Sequence, residues 1–360
     1  MSEQLSEQFS LQPGHRVDRR YTILQQLGHG GFGRTYLATD SRRHNERCVL
    51  KEFAPLVTAY AEDIEKAREL FRREAAVLHR LRHPQIPEFR EEFEVFEAGQ
   101  TRWMLVQEWI AGETYLELLR SGPLLEVQVV QFLLDFLPIL NYLHNHQPPV
   151  IHRDISLDNI LLNSVTNQPT LIDFGTVKQA MHQVSGLPVE RPTLIAKRGY
   201  SPPEQTLGEA YPSSDLYALG VCAIALLTGQ RNPVVLYDAH GDRWHWRAHA
   251  AVSSGLGAIL DRLVQSQPRF RYDSAADVIR ALGKLSLASE WRPTQTFSGS
   301  SAPSSAPPLT SASAARPPVP PPISVPYRSI PGSRGCRNPL PRDRPVRVIA
   351  AIASCLKPSN

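Results

Sequence analysis

Residues 150–162 read Val150-Ile151-His152-Arg153-Asp154-Ile155-Ser156-Leu157-Asp158-Asn159-Ile160-Leu161-Leu162. Apolar arms close on a polar centre, which predicts two short strands joined by a loop. Within it Asp154 and Asn159 stand five positions apart, a carboxylate and an amide in one loop. A second stretch, Leu171-Ile172-Asp173-Phe174-Gly175, places another carboxylate at the exit of an apolar strand.

Working toward the N-terminus, Gly28-His29-Gly30-Gly31-Phe32-Gly33 forms a G-x-G-x-x-G run. A dinucleotide-binding loop must lead into a helix. Here Arg34-Thr35-Tyr36-Leu37-Ala38 follows and reads as a strand, so the glycines sit in a hairpin, where backbone N–H groups can approach phosphates. No Gly-Lys-Ser/Thr closes the run, which excludes a Walker loop. The strand Cys48-Val49-Leu50-Lys51 ends on a lysine. On the helix expected over Ala67–Leu81, Leu70, Glu74, Leu78 and Leu81 share one face at spacings of four, four and three. A carboxylate in an apolar stripe needs a partner, because stranding one member of a buried pair costs about 3–5 kcal/mol. Lys51 is its natural partner.

These parts fit phosphoryl transfer, which asks for positioning and charge cancellation more than covalent chemistry. Asp173 and Asn159 are the candidate metal ligands, Lys51 the fixed positive charge, and Asp154 the group that orients a hydroxyl and accepts its proton.

With these motifs in order, residues 21–287 resemble the eukaryotic-like serine/threonine protein kinases of bacteria. Pro202-Pro203-Glu204 stands where that family has Ala-Pro-Glu, and Asp215 and Gly220 match its central-helix pattern. Arg271 matches the arginine that pairs with the Glu204 position, and Gln107-Glu108-Trp109-Ile110 resembles the hinge, with Gln107 as gatekeeper. The runs Pro202-Pro203-Glu204-Gln205 and Trp244-His245-Trp246-Arg247 resemble cyanobacterial-type members.

The resemblance implies a bilobal α+β fold, with a small β-rich lobe at 21–110, a larger α-rich lobe at 111–287, and ATP with Mg²⁺ (or Mn²⁺) in the cleft. It implies nucleotide contacts from Leu27, Gly28, His29, Gly30, Gly31, Phe32, Gly33, Arg34, Thr35, Val49, Lys51, Leu161, and the backbones of Glu108 and Ile110. It also implies Ser/Thr-bearing protein substrates, self-association for autophosphorylation, and an architectural part for Asp215 and Arg271.

The chain departs from the family in three places. Where the family carries Lys two residues after the catalytic Asp, this chain has Ser156. Where it carries Thr three residues before the activation-segment Tyr, here Tyr200, this chain has Lys197. The two side chains look exchanged, which makes Lys197 a candidate for the charge near the γ-phosphate. Thr35 replaces the usual valine over adenine. Arg153 before Asp154 fits activation by loop phosphorylation, with Thr193, Thr176 and Ser185 as candidate sites. Two other readings stay open on sequence: a pseudokinase scaffold, and a kinase-like small-molecule phosphotransferase.

Charge is unevenly placed. The chain carries 39 Lys/Arg against 35 Asp/Glu, but from Glu290 onward nine basic residues face two acidic ones. The basic balance thus belongs to the tail, which argues against a nucleic-acid-binding fold. Residues 1–20 are expected to be a polar, flexible leader without a signal peptide. Residues 288–360, rich in Pro, Ser, Ala and Arg, are expected to lack a packed core. Val319-Pro320-Pro321-Pro322 could serve as a polyproline ligand, and the basic tail could touch an anionic membrane surface. The run Val348–Leu356 is about half the ~20 residues of a spanning helix. Cys48, Cys222, Cys336 and Cys355 are scattered, which suits reduced thiols in a cytoplasm.

Overall fold

In the computed structural model, which describes residues 10–30, 33–53, 61–97, 100–174 and 199–288, burial in the strands follows a period of two. Strands β1 (Arg16–Val17), β2 (Tyr21–Gly30), β3 (Gly33–Asp40), β4 (Glu46–Phe53), β5 (Phe89–Glu97) and β6 (Gln100–Glu108) form one antiparallel sheet, ordered β1-β2-β3-β4-β6-β5. Along β4, Cys48, Leu50 and Glu52 turn to one face and Val49 and Lys51 to the other. The first face is apolar, with Tyr21, Ile23, Tyr36, Met104 and Val106, and it is closed by Leu11 and Val17.

That closure corrects the expectation of a flexible leader through residue 20. From residue 10 onward the chain is part of the fold. β1 pairs with β2, the Leu11 N–H donates to Tyr36 Oη at 3.2 Å, and Val17 is wholly buried. An apolar sheet face left in water would forfeit roughly 25 cal/mol per Å², so a covering segment is favoured. Residues 1–9 lie outside the described residues.

The opposite face packs against α1 (Ala61–Arg80), whose Phe71, Ala75 and Leu78 meet Phe53, Trp103 and Leu105. The helix begins six residues before the expected Ala67. The sheet ends at Glu108, and the next strand, β7 (Gly112–Thr114), pairs instead with β8 (Ile160–Asn163), which pairs with β9 (Pro169–Leu171).

The second lobe is helical. A capping box between Thr114 and Glu117 opens α2 (Tyr115–Leu118). The long α3 (Glu126–His144) buries Val129, Phe132, Leu133, Phe136, Leu137, Ile139, Leu140 and Leu143. By length and composition α3 alone, among the described residues, could cross a membrane, yet its apolar side chains lie in the core. After α4 (Pro203–Thr206), α5 (Pro212–Thr228) is buried on nearly every side, which its near-continuous apolar sequence requires. It packs on α6 (Ser254–Leu263) at Gly220, and α7 (Ala275–Ala288) packs on α3. Residues 289–360 lie outside the described residues.

The motif Trp244-His245-Trp246-Arg247 is architectural. Trp246 is fully buried and donates its indole N–H to Asp261 at 2.9 Å, while Arg247 holds the other Asp261 oxygen.

Candidate active site

The loop after α3 is built on Asp215 of α5. Its carboxylate accepts the backbone N–H groups of His152 and Arg153, each at 2.9 Å, and faces His144 Nε2 at 2.9 Å. Burial alone would push the Asp215 carboxyl up. The hydrogen bonds from His144 and the Arg153 backbone outweigh it and hold the group below its ordinary value. This grip supports a strained turn, since Arg153 has φ 67, in the left-handed region that non-glycine residues avoid. Val150 and Ile151 do not form the strand expected there. The Val150 N–H donates to the Leu143 carbonyl, which ties the loop to the end of α3 instead of to a sheet.

His152 is fully buried against the Phe174 ring, 4.6 Å between centroids. Burial pushes its imidazole below the ordinary value, which keeps the ring neutral, and Nδ1 accepts the Asp154 N–H at 3.3 Å.

Asn159 Nδ2 donates to the Asp154 carbonyl at 2.7 Å and to Asp154 Oδ2 at 2.9 Å. With its amide hydrogens on Asp154, the Asn159 oxygen is the atom turned away, and an amide oxygen is a donor for a hard cation. The Asn159 carbonyl accepts the Ile172 N–H at 2.9 Å, which joins the loop to the β9 exit and thus to Asp173. Asp173 has φ 60, a conformation Asp tolerates better than most residues. Its Oδ1 accepts from Lys51 Nζ at 3.0 Å, a contact between the two lobes. Asp173 and Asn159 would suit Mg²⁺, which is held by one or two carboxylates plus substrate phosphates, and the Lys51 ammonium would suit the phosphates themselves. Among the described residues no cluster of three His, Cys, Asp or Glu forms an all-protein metal cage.

Strand register sorts the remaining candidates. Thr35 faces Lys51, and Val49 faces Gln107, so all four lie on the sheet face that carries Lys51. Arg34, another candidate nucleotide contact, stands one position before Thr35 on β3. It pairs with Glu52 on the reverse face, 3.5 Å away, because alternation sends neighbouring side chains to opposite sides. Glu52 is buried there with Arg102 and with Tyr36, whose Oη donates to it at 3.0 Å. Gly28 and His29 are exposed at the tip of the β2–β3 hairpin, and Leu27 is exposed beside it. Gly30 and Gly33 close that hairpin, opposite each other in register.

The Glu108 N–H donates to the Glu88 carbonyl at 2.9 Å. Ile110 lies beyond the end of β6, and Leu161 is half-buried on β8. Glu74 lies on α1 near the buried Ala75 and Leu78, but its side chain is outside the described residues. So are Gly31, Phe32, Gly175, Lys197, Thr176, Ser185 and Thr193. Ser156 is described and completely buried, and its carbonyl accepts the Asn159 N–H at 3.0 Å.

Glu204 and Arg271 form a buried two-bond pair at 2.6 and 2.9 Å, with Ser214 Oγ also donating to Glu204 at 2.7 Å. Burial pushes the Glu204 carboxyl up, and the Arg271 and Ser214 hydrogen bonds bring it below its ordinary value. Sequence reasoning passed over two contributors. His144 gave no signal beyond its place at a helix end. Gln205 was visible only as part of a motif, although its amide reaches the loop before Asp154.

The chain belongs to the protein kinase domain family, whose model matches residues 21–279. It is 38% identical over 274 residues to serine/threonine-protein kinase PknA of Nostoc sp., covering 74% of this chain and 47% of that protein. It is 40% identical over 275 residues to serine/threonine-protein kinase F of Synechocystis sp., covering 73% and 54%. The chain thus spans about half the length of the curated relatives it matches. A solved structure titled "PpkA-294 apo form" is similar at 25% identity with a TM-score of 0.63, covering 76% of this chain and 99% of that one. Family membership implies ATP, a divalent metal ion and protein substrates.

Proposed function

We propose that this chain is an ATP-dependent serine/threonine protein kinase that transfers the γ-phosphoryl group to Ser/Thr hydroxyls of proteins, itself included. The observation that carries the reading is a linked pair of contacts, Lys51 with Asp173 and Asn159 with Asp154, joined by the Ile172 N–H on the Asn159 carbonyl. Lys51 steadies the α- and β-phosphates, with Glu74 as its helix partner. Adenine lies between Leu27, Val49 and Leu161, against the Glu108 carbonyl and the Ile110 backbone. The hairpin from Gly28 to Gly33 covers the phosphates with backbone N–H groups. Asp173 and the Asn159 oxygen hold Mg²⁺, or Mn²⁺ in its place, which cancels charge on the phosphates when bound.

Asp154, one oxygen held by Asn159, orients the incoming hydroxyl and takes its proton as the new P–O bond forms and ADP leaves. Lys197 supplies the positive charge near the γ-phosphate that Ser156 cannot. The buried thiols of Cys48 and Cys222, outside any disulfide, suit a cytoplasmic location. The basic tail from 288 is a linker or contact segment outside the catalytic unit.

The test is incubation with γ-labelled ATP and Mg²⁺ followed by phosphoamino-acid analysis. Labelled phosphoserine or phosphothreonine supports the reading. Labelled phosphotyrosine overturns the specificity, and an unlabelled protein overturns the activity.

A further inference from the structure

Asp154 follows a peptide unit that is held at both ends. On one side its own N–H donates to His152 Nδ1 at 3.3 Å. On the other, the Arg153 carbonyl accepts from Gln205 Nε2 at 2.6 Å. A peptide unit is planar, so fixing its oxygen and its N–H fixes the direction in which the next Cα–Cβ bond leaves. The constraint matters because Arg153 sits at φ 67, a conformation that persists only where the surroundings impose it. Asp215 holds the N–H side of Arg153, and Gln205 holds the carbonyl side.

We propose that Gln205 is a positioning residue for the phosphoryl-transfer step: its amide locks the Arg153–Asp154 peptide plane and thereby aims the Asp154 carboxylate. This deepens the kinase reading and rests on it. Three observations make Gln205 a strut and not an incidental neighbour. It is only 8% exposed, so water does not compete freely for the carbonyl. It stands next to Glu204, whose buried pair with Arg271 anchors α4. Its Nε2 also lies 3.5 Å from Ser201 Oγ, in the segment leading into α4. The strut therefore links that segment to the carboxylate across 52 positions of sequence. The effect of Gln205 on Asp154 runs through the Arg153 carbonyl and the backbone.

The experiment compares the full chain with Gln205→Met, which keeps length and removes the donor, and Gln205→Glu, which keeps shape and polarity and presents an acceptor. In both, kcat for phosphotransfer falls about tenfold or more while KM for ATP stays within about twofold, as for a group acting only in the chemical step. Melting temperature is recorded alongside, because a purely structural role would lower it without splitting kcat from KM. A folded variant with wild-type kcat overturns the proposal, and if the Met variant does not fold, the Glu variant decides.

The second readout needs no activity: the Arg153 carbonyl ¹³C resonance, observed through the Asp154 amide. It shifts in Gln205→Met when the hydrogen bond is lost, and an unmoved resonance overturns the strut. A wild type without phosphotransfer defeats the kinase reading, and this resonance still decides the role of Gln205.

Discussion

Lys51 Nζ and Asp173 Oδ1 stand 3.0 Å apart, and they join a strand of the first lobe to the β9 exit of the second. Register and backbone conformation both contribute: Lys51 is on the cleft face because Glu52 is not, and Asp173 turns out of its strand with φ 60. The pair places opposite charges where phosphates and a cation of matching charge would enter between them.

Lys51→Met and Asp173→Ala are each expected to lower single-turnover phosphotransfer by about 100-fold or more, the scale of removing one preorganised charge. Because both act on the same phosphates, the double variant falls little further than the worse single one. Losses that multiply would show the two residues acting independently.

The Glu204–Arg271 pair predicts a pH effect on stability. The folded-state pKa of Glu204 lies below its ordinary 4.5, so the unfolded chain binds more protons in that window. Its contribution is full above about pH 4.5 and is lost as pH falls through the lower folded value. Glu204→Gln is expected to cost about 3–5 kcal/mol near neutrality, the cost of breaking a buried pair. In urea unfolding, the gap between wild type and variant narrows on acidification. A constant gap would contradict the assignment.

Gly220→Ala tests the contact between α5 and α6. A Cβ there would lie 2.7 Å from Leu263 Cβ and 3.0 Å from Val264 Cγ1. The expected loss is about 1–3 kcal/mol, the range for overpacking, with activity per folded molecule retained. Thermal melting and a specific-activity assay read the two effects separately.

The proposed exchange of function between positions 156 and 197 makes its own prediction. Ser156 is completely buried, a place that suits a hydroxyl better than an unpaired ammonium. Lys197→Ala is expected to reduce kcat by about tenfold or more, as for a lost transition-state charge. Undiminished phosphotransfer in Lys197→Ala would remove Lys197 from the site.

Much of this was legible in the chain itself. Arg47 to Phe53 was readable as a strand ending near Lys51, and β4 covers it, while the face that Lys51 takes shows only in the burial along the strand. The five-residue spacing of Asp154 and Asn159 put both in one loop, while their contact with each other appears only in the structure. Other features left no local trace. β1 is two residues long, too short for any periodicity, and Val17 is buried only because a distant sheet face needs covering. Val150 and Ile151 have strand-like side chains, but their backbone is taken by the end of α3. α1 starts six residues before the apolar stripe that marks it in the sequence, because a helix can begin ahead of its apolar spacing. Gln205 reaches Arg153 from 52 residues away, a contact that only tertiary structure creates.

The central claim is that Asp154 performs the proton-accepting and orienting step, and the most direct test is autophosphorylation with γ-labelled ATP by wild type and Asp154→Asn side by side. The account predicts labelled wild type, and a variant slowed by about 100-fold or more, because a general base contributes about 10²–10⁴-fold, with ATP binding preserved. Equal labelling of the two proteins would contradict it.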